Sequence, residues 1–156
     1  MIDVLGLILL ANAVPILVAQ LFGSHANWPL DLGLKINQQP ILGPSKTWRG
    51  IVASLAVTSM VAEWFGLSAW DGLLIASTAM LGDIIASFCK RRLKIKPSDM
   101  ALGLDQIPES LFPTLAMKQQ LAMSWGDVFI MVVLFIFIEL LLSRLGYMLG
   151  LRNRPY

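Results

Sequence analysis

A run of polar side chains follows one face of a predicted helix that is otherwise apolar. At about 100° per residue, spacings of three and four place its members within about a third of the helix circumference. They are Asp83, Ser87, Lys90, Arg91 and Lys94. A carboxylate in an apolar segment is costly and usually faces a bundle interior or a cavity, where it pairs with another group. Two interpretations stay open: Asp83 takes part in chemistry, or it only contacts Ser87 or Lys90 while the basic residues anchor the helix.

A second polar segment combines cations, hydroxyls and glycines just before an apolar run. It contains Gly43, Ser45, Lys46, Thr47, Arg49 and Gly50. Free backbone N–H groups and the helix dipole favour phosphate at a helix N-terminus, so these residue types could form an anion site. A nucleotide-binding P-loop is excluded because no glycine precedes Lys46 and no strand precedes the segment. The alternative is a basic belt beside a membrane, with Trp48 at the level of the lipid headgroups.

A third segment carries Asp105 and Glu109 on either side of Pro108. If a helix begins near Pro108, its dipole stabilises both acids, and this capping role is the simpler interpretation. The functional interpretation pairs Asp105 with Asp83 as two oxygen ligands for Mg²⁺. That ion typically takes one or two carboxylates together with waters and substrate phosphates.

Two further polar residues lie inside apolar runs. Asn12 either lines a cavity or satisfies backbone groups that are loosened by Pro15. Glu139 lies deep in the last apolar run, where a functional role and a structural partner on another helix are equally plausible.

The composition indicates which elements position these groups. With 56% hydrophobic and 14% charged residues and a mean hydropathy of +0.70, the 156-residue chain is too apolar for an ordinary soluble domain. Its apolar windows approach the roughly 20 residues that a membrane-crossing helix needs. None alternates with the period of two expected of a barrel strand. The basic residues flank these windows, which makes nucleic acid binding improbable. Cys89 is the only cysteine, so no internal disulfide can form.

Five transmembrane helices are predicted in a single domain covering residues 1–156. The predicted spans are about 2–22, 51–65, 72–88, 109–124 and 126–149. Met1-Ile2-Asp3 lacks the basic region of a signal peptide, so the first span is expected to remain as a helix. The fourth span is diluted by polar residues. The loops at about 23–50 and 89–108 hold most of the candidate site residues.

The distribution of basic residues predicts the orientation, because short cytoplasmic loops collect Lys and Arg. With five crossings and the N-terminus outside, eleven of the twelve basic residues lie on the cytoplasmic side, and only Lys118 lies outside. Four crossings would place Arg144, Arg152 and Arg154 opposite the other basic clusters. The sequence therefore predicts an all-α integral membrane protein with a cytoplasmic C-terminus and both polar loops facing the cytoplasm.

These motifs, taken in order along nearly the whole chain, resemble those of the CDP-archaeol synthase family, which is related to the larger CDP-diacylglycerol synthases. The resemblance rests on residues 11–15, 29–33, 42–50, 82–92 and 105–106. Its most specific blocks are Lys46-Thr47-Trp48 and the run from Gly82-Asp83 to Lys90-Arg91-Arg92. Two positions depart from the family: residues 37–39 replace an acidic-glycine-basic turn, and Pro108 with Glu109 stands where the archaeal pattern has a second aspartate. The ending at residues 105–110 looks like a bacterial branch.

The resemblance implies five transmembrane helices and transfer of a cytidylyl group from CTP to a lipid phosphate, with Mg²⁺ and release of pyrophosphate. It implies that Asp83 and Asp105 hold the metal and that Ser87, Lys90 and Arg91 contact phosphates. It also places Lys46, Thr47 and Arg49 in the nucleotide or phosphate site. We include Asn12 among the substrate-binding candidates and Lys90 among the catalytic ones. The protein is expected to lie in the inner membrane of the cell.

Two rival functions use the same residues. A small transporter would align Asn12, Asp83 and Glu139 along one path, although five helices suit that function poorly unless the chain forms a homo-oligomer. A non-catalytic membrane scaffold would bind anionic lipid through its basic belts, but this leaves the two acids beside those belts unexplained.

Overall fold

The computed structural model of this protein describes residues 1–97 and 99–150. In these ranges the α-helices are α1 (Ile2–Phe22), α2 (Trp48–Ala62), α3 (Ala69–Arg92), α4 (Gln106–Met117) and α5 (Trp125–Met148). A 3₁₀ turn at Glu63–Phe65 follows α2, and two short strands, β1 (Lys35–Ile36) and β2 (Gln39–Pro40), pair as an antiparallel hairpin. The chain is thus mostly helical, as predicted, but the sequence analysis missed the hairpin. Arg152 and Arg154, used to predict the orientation, lie outside the described residues.

Among the described helices, three are long and apolar enough to cross a membrane: α1, α3 and α5, with 21, 24 and 24 residues. The other two contain 15 residues in α2 and 12 in α4. At about 1.5 Å per residue they span about 22 and 18 Å, short of the roughly 30 Å of a bilayer core. The fourth helix differs from the predicted bounds of 109–124: it begins at Gln106 and ends at Met117, and a turn follows. The third helix is longer than predicted and includes Lys90, Arg91 and Arg92.

Helix α3 is the centre of the bundle and packs against α1, α2 and α4, while α5 packs mainly against α4. The first residues of α1 join the end of α2 and the beginning of α3 in one apolar core, through Leu5, Ile8, Ala62 and Ile75. Successive helices therefore run in opposite directions. We call the end where α3 finishes the basic end, because Lys46, Lys90, Arg91 and Arg92 all lie there.

The first half of α1 is joined to α2 across a proline. Pro15 has no N–H to donate to the carbonyl of Ala11 one turn earlier, and Ser54 of α2 donates to that oxygen at 2.7 Å instead. Asn12 donates to the carbonyl of Ile8 within its own helix at 3.0 Å. Between the two alternatives for Asn12, the structure therefore shows a backbone contact, while the carbonyl freed by Pro15 is satisfied from the neighbouring helix.

The opposite end of the bundle is closed by two capping boxes. Ser68 with Asp71 begins α3, and Ser124 with Asp127 begins α5. Each hydroxyl accepts a backbone N–H of the first turn, and each carboxylate returns to the cap residue. The side chain of Gln120 donates to Asp71 at 2.9 Å and ties the turn after α4 to the start of α3.

The backbones of α3 and α4 touch at Gly82. A Cβ atom built there would lie 2.3 Å from the carbonyl oxygen of Pro108 and 2.7 Å from the nitrogen of Glu109. Only glycine permits this approach, as at other close helix crossings in membranes. The contact places the start of α4 beside Asp83.

Because of this crossing, α4 begins inside the bundle and not at the end of α3. Helix α4 runs alongside α3 only between the Gln120–Asp71 contact and the Gly82 contact, while α3 continues ten residues beyond Gly82 to Arg92. At about 1.5 Å per residue those ten residues extend about 15 Å further. The residues just before α4 therefore are non-helical backbone within the bundle, where Asp105 contacts Lys90. Such non-helical backbone is tolerated at depth only where protein or water surrounds it.

The Gly82 contact predicts the effect of one added methyl group. Gly82→Ala should destabilise the protein by about 1 to 3 kcal/mol, because the neighbouring atoms belong to backbone and cannot move aside cheaply. Gly6→Ala is the matched control: a Cβ there meets nothing within 4 Å, and alanine favours a helix interior by up to about 1 kcal/mol. Thermal unfolding midpoints in detergent measure both. Equal midpoints for the two variants would contradict the close contact.

Candidate active site

Two lysine–carboxylate pairs lie at the basic end. The Nζ of Lys46 lies 2.5 and 2.6 Å from the two carboxylate oxygens of Asp83. The Nζ of Lys90 lies 2.9 and 3.0 Å from those of Asp105. Asp83 and Lys90 belong to α3. Lys46 lies in the loop before α2, and Asp105 lies in the loop before α4. Three segments that are distant in sequence therefore meet at the basic end.

Asp105 is held from its own loop as well as from α3. The backbone N–H of Ala101 donates to its carboxylate at 2.9 Å, and the side chain of Gln106 accepts from the N–H of Gly103 at 2.8 Å. These bonds close a turn that presents Asp105 to Lys90. Asp105 is the residue before α4 but makes no side-chain capping bond to that helix. The simpler interpretation, in which it serves as a helix cap, is thus not what the structure shows.

Glu109 adds a third acid through the Gly82 crossing. It is buried, and its carboxyl group lies close to that of Asp83. Two carboxyl groups in contact cannot both keep a negative charge unless a proton or a cation lies between or beside them. Glu109 therefore belongs to the same cluster of charges as the Lys46–Asp83 pair.

Lys46 is the cation that faces this cluster. Burial alone would lower the pKa of Lys46, but the charges of Asp83, Glu109 and Asp105 raise it above its ordinary value. The ammonium group therefore stays charged throughout the physiological pH range. It is a fixed positive charge where three carboxyl groups converge.

The polar face predicted on α3 points into the protein. Ser87, Lys90 and Arg91 are all buried, with 6%, 8% and 3% of their surface exposed. Arg91 donates one hydrogen bond to the carbonyl of Lys96 at 3.2 Å, while its Nε and other terminal nitrogen are buried without a partner among the residues that the structure describes. A buried guanidinium with unsatisfied N–H groups is costly. An anion such as phosphate would satisfy it, because the planar fork matches phosphate oxygens.

Three predicted site residues make structural contacts instead of joining this cluster. Thr47 caps α2, its hydroxyl accepting from the N–H of Gly50 at 3.2 Å. Arg49 binds the turn after α1, donating to the carbonyls of Gly23 and His25. Asn12 bonds within α1, as described above. Roles for these residues as substrate ligands stay predictions.

Asp31 organises the loop that carries Lys46, and the sequence analysis gave it no role. One carboxylate oxygen accepts the N–H groups of Leu42 and Gly43, each at 2.9 Å, and the other accepts that of Gly33 at 3.0 Å. Burial would raise the pKa of Asp31, but these backbone donors lower it below its usual value. The signal was available in the sequence: an aspartate two residues before a glycine is typical of a tight loop.

The acids suit a metal that is shared with a substrate. Within residues 1–97 and 99–150, no three acidic, histidine or cysteine side chains form a complete protein cage for a metal. Asp83 and Asp105 offer hard carboxylate oxygens, and unsatisfied N–H groups of Arg91 lie on the same helix face. Mg²⁺ commonly takes one or two carboxylates and completes its shell with water and substrate phosphates. The donor set therefore fits Mg²⁺ bound together with a phosphate substrate.

Comparison with known proteins places these features in one family. Residues 68–156 match the model of the CarS-like family, described as CDP-archaeol synthase. The CDP-archaeol synthase of Thermofilum pendens is 30% identical over 155 residues, which cover 94% of this chain and 75% of that protein. That of Pyrococcus furiosus is 33% identical over 107 residues, covering 62% of this chain and 60% of that protein.

A solved structure gives the same relationship in three dimensions. It is that of an intramembrane enzyme for archaeal membrane lipids biosynthesis, and it matches this chain with a TM-score of 0.67 at 25% identity. The match covers 88% of this chain and 90% of the other. Together with the three long apolar helices, it identifies the chain as an integral membrane protein.

The contacts of Asp31 predict a dependence of loop order on pH. Because the pKa of Asp31 is lowered on folding, its stabilisation is complete above the unfolded pKa of about 3.9 and is lost as the pH falls through the lower folded value.

Asp31→Asn should reduce the protection of the Leu42 and Gly43 amides about tenfold at neutral pH, because an amide nitrogen then faces those donors. Hydrogen exchange measures this, with Asp3→Asn, an exposed aspartate at the start of α1, as the control. Unchanged protection in Asp31→Asn would contradict the assignment.

Proposed function

Because the chain belongs to the CarS-like CDP-archaeol synthase family, we propose that it is a CTP-dependent cytidylyltransferase that converts a membrane lipid phosphate into a CDP-activated lipid. The observation that carries this proposal is the convergence of the Lys46–Asp83 and Lys90–Asp105 pairs. Binding a nucleotide triphosphate beside a lipid phosphate requires both positive groups for the phosphates and carboxylates for a metal. This site offers both at the basic end of the bundle.

The reaction joins two anions, so the protein acts mainly through positioning and electrostatics. An oxygen of the lipid phosphate attacks the α-phosphorus of CTP, and the bond between that phosphorus and the oxygen bridging to the β-phosphorus breaks. Pyrophosphate leaves with the electron pair. The reaction requires no covalent intermediate with the protein.

The residues divide between the two substrates. Lys90 and the unsatisfied N–H groups of Arg91 orient the lipid phosphate, with Ser87 on the same buried face. Lys46, on the loop that precedes α2, faces the nucleotide phosphates. Asp83 and Asp105 would hold Mg²⁺, which supplies charge neutralisation for the nucleotide phosphates and for the departing pyrophosphate.

The recessed position of the site suits a substrate with lipid tails. The headgroup must reach Asp83, about 15 Å along α3 from its basic end, while the tails stay in hydrocarbon. We infer that the tails lie between helices and that CTP enters from the aqueous side. This arrangement explains why an enzyme with a soluble cosubstrate is almost entirely apolar. The lipid can be an ether or an ester lipid.

The proposed orientation places the basic end in the cytoplasm at the inner membrane. In the described ranges, Lys118 is the only basic residue beside the turns at the other end. That end also carries the exposed Trp64, Trp70 and Trp125, and tryptophans of this kind lie at membrane surfaces. The alternation of helix directions then gives five passages, although α2 and α4 are short.

The chemistry is tested by replacing either metal-binding carboxylate. Asp83→Asn and Asp105→Asn should each lower turnover at least a hundredfold, because an amide binds a divalent cation far less well than a carboxylate. The measurement is pyrophosphate release from CTP in detergent, dependent on both Mg²⁺ and an added lipid phosphate. Asp127→Asn, at the opposite end of the bundle, is the control and should stay active. Full activity of either site variant would refute the metal assignment.

The orientation is tested by labelling single cysteines in intact cells. Cys89 is replaced by serine, and cysteine is then introduced at Lys35 or at Gln119, both of which are exposed at opposite ends. A membrane-impermeant maleimide should label Gln119→Cys in intact cells and Lys35→Cys only after permeabilisation. The reverse pattern would invert the proposed topology.

A further inference from the structure

Arg92, the last residue of α3, binds a segment on the side of the helix away from the site. Its guanidinium donates to the carbonyl of Pro40 at 2.7 Å and to that of Ile36 at 3.3 Å. Both carbonyls belong to the β1–β2 hairpin. At 100° per residue, the nine residues between Asp83 and Arg92 place the two side chains about 180° apart around α3. The hairpin and the candidate site therefore lie on opposite faces of one helix.

The hairpin and Lys46 belong to the same closed loop. The N–H of Trp48 donates to the carbonyl of Trp28 at 3.2 Å, and the N–H of Leu30 donates to the carbonyl of Lys46 at 2.7 Å. Asp31 fixes the interior of this loop through its three backbone bonds. We call residues 28–48 the clasp, because they contact α3 through Lys46 on one face and through the hairpin on the other.

We propose that Arg92 is a positioning residue for Lys46: by holding the hairpin on one face of α3, it fixes the clasp so that the ammonium group reaches Asp83 on the other face. This inference rests on the proposed function in that Lys46 serves the nucleotide phosphates. A long lysine side chain on a loop attached at one point could occupy many positions. Attachment at a second point on a rigid helix removes most of that freedom, which is how positioning contributes to catalysis.

The contacts explain why an arginine suits this position. A planar guanidinium donates to two carbonyls at once, and that of Arg92 also lies 5.3 Å from the centre of the Phe88 ring. A lysine can keep the charge but not the fork. The pairing of Lys90 with Asp105 and the burial of Arg91 leave Arg92 as the residue of this basic run that contacts the hairpin.

The backbone of the hairpin turn is strained, so a contact from outside the hairpin helps to keep it in place. Asn37 and Gln38 both have positive φ, 52° and 64°, as in a type I′ turn. Asparagine tolerates this conformation, whereas glutamine adopts it less readily than glycine. Gln38→Gly should therefore stiffen the hairpin on its own, and this provides a second variant that acts on the clasp without touching Arg92.

The first experiment measures the clasp directly. Arg92→Gln should increase hydrogen exchange at residues 35–41 about tenfold while the α3–α4 contact stays protected, and Arg92→Lys should give an intermediate value. Arg144→Gln is the matched control, since Arg144 is an exposed arginine near the same end on α5. Unchanged exchange in Arg92→Gln would overturn the proposal. Because exchange needs no turnover, this result is independent of whether the chain proves to be a cytidylyltransferase.

The second experiment asks whether Arg92 acts through Lys46. Equilibrium dialysis with radiolabelled CTP and Mg²⁺ should show about tenfold weaker binding for Arg92→Gln, partly restored by adding Gln38→Gly. In a Lys46→Met background, Arg92→Gln should change the affinity less than twofold, because the residue it positions is gone. A full tenfold loss in that background would show that Arg92 contacts substrate itself or only maintains the fold, and would overturn the positioning role. If the wild-type protein did not bind CTP, this result would instead refute the proposed function.

Discussion

The charge of Asp83, in a helix long enough to cross a membrane, is the constraint on which the structure depends. A carboxylate at that depth is stable only if other segments bring compensating groups to it. The protein brings the cation of Lys46 from one side, and the acid Glu109, which must share that cation or keep a proton, from the other. The first requires a folded loop before α2, and the second requires a helix crossing at Gly82. The same convergence creates a polar recess suited to phosphate chemistry at the membrane.

The short length of α4 determines the shape of the site around Asp83. Because α4 begins beside Gly82 rather than at the end of α3, the segment carrying Asp105 must enter the bundle. There Asp105 meets Lys90, beside the buried side chains of Ser87 and Arg91 on the same helix. The site thus depends on a helix that stops short of one membrane surface.

The basic residues at the end of α3 make different contacts although they are adjacent in sequence. Lys90 faces Asp105, Arg91 keeps buried N–H groups that no described residue accepts, and Arg92 holds the hairpin on the opposite face. The separation follows from the helix itself, since consecutive residues point about 100° apart. In the proposed function, Arg91 would bind phosphate while its neighbour Arg92 organises a loop.

The sequence alone determined the membrane class, the mostly helical fold, the family and the polar face of α3, because these follow from hydropathy, helical periodicity and motifs read along the chain. It also fixed the bounds of α1, where composition and length agree. Tertiary structure decided which cation meets which acid, the early end of α4, and the positions of Thr47, Arg49 and Asn12. It also decided the roles of Asp31 and Arg92. Most of these depend on contacts between residues far apart in sequence, such as Arg92 with Pro40, and on a backbone approach at Gly82 that no local pattern reveals.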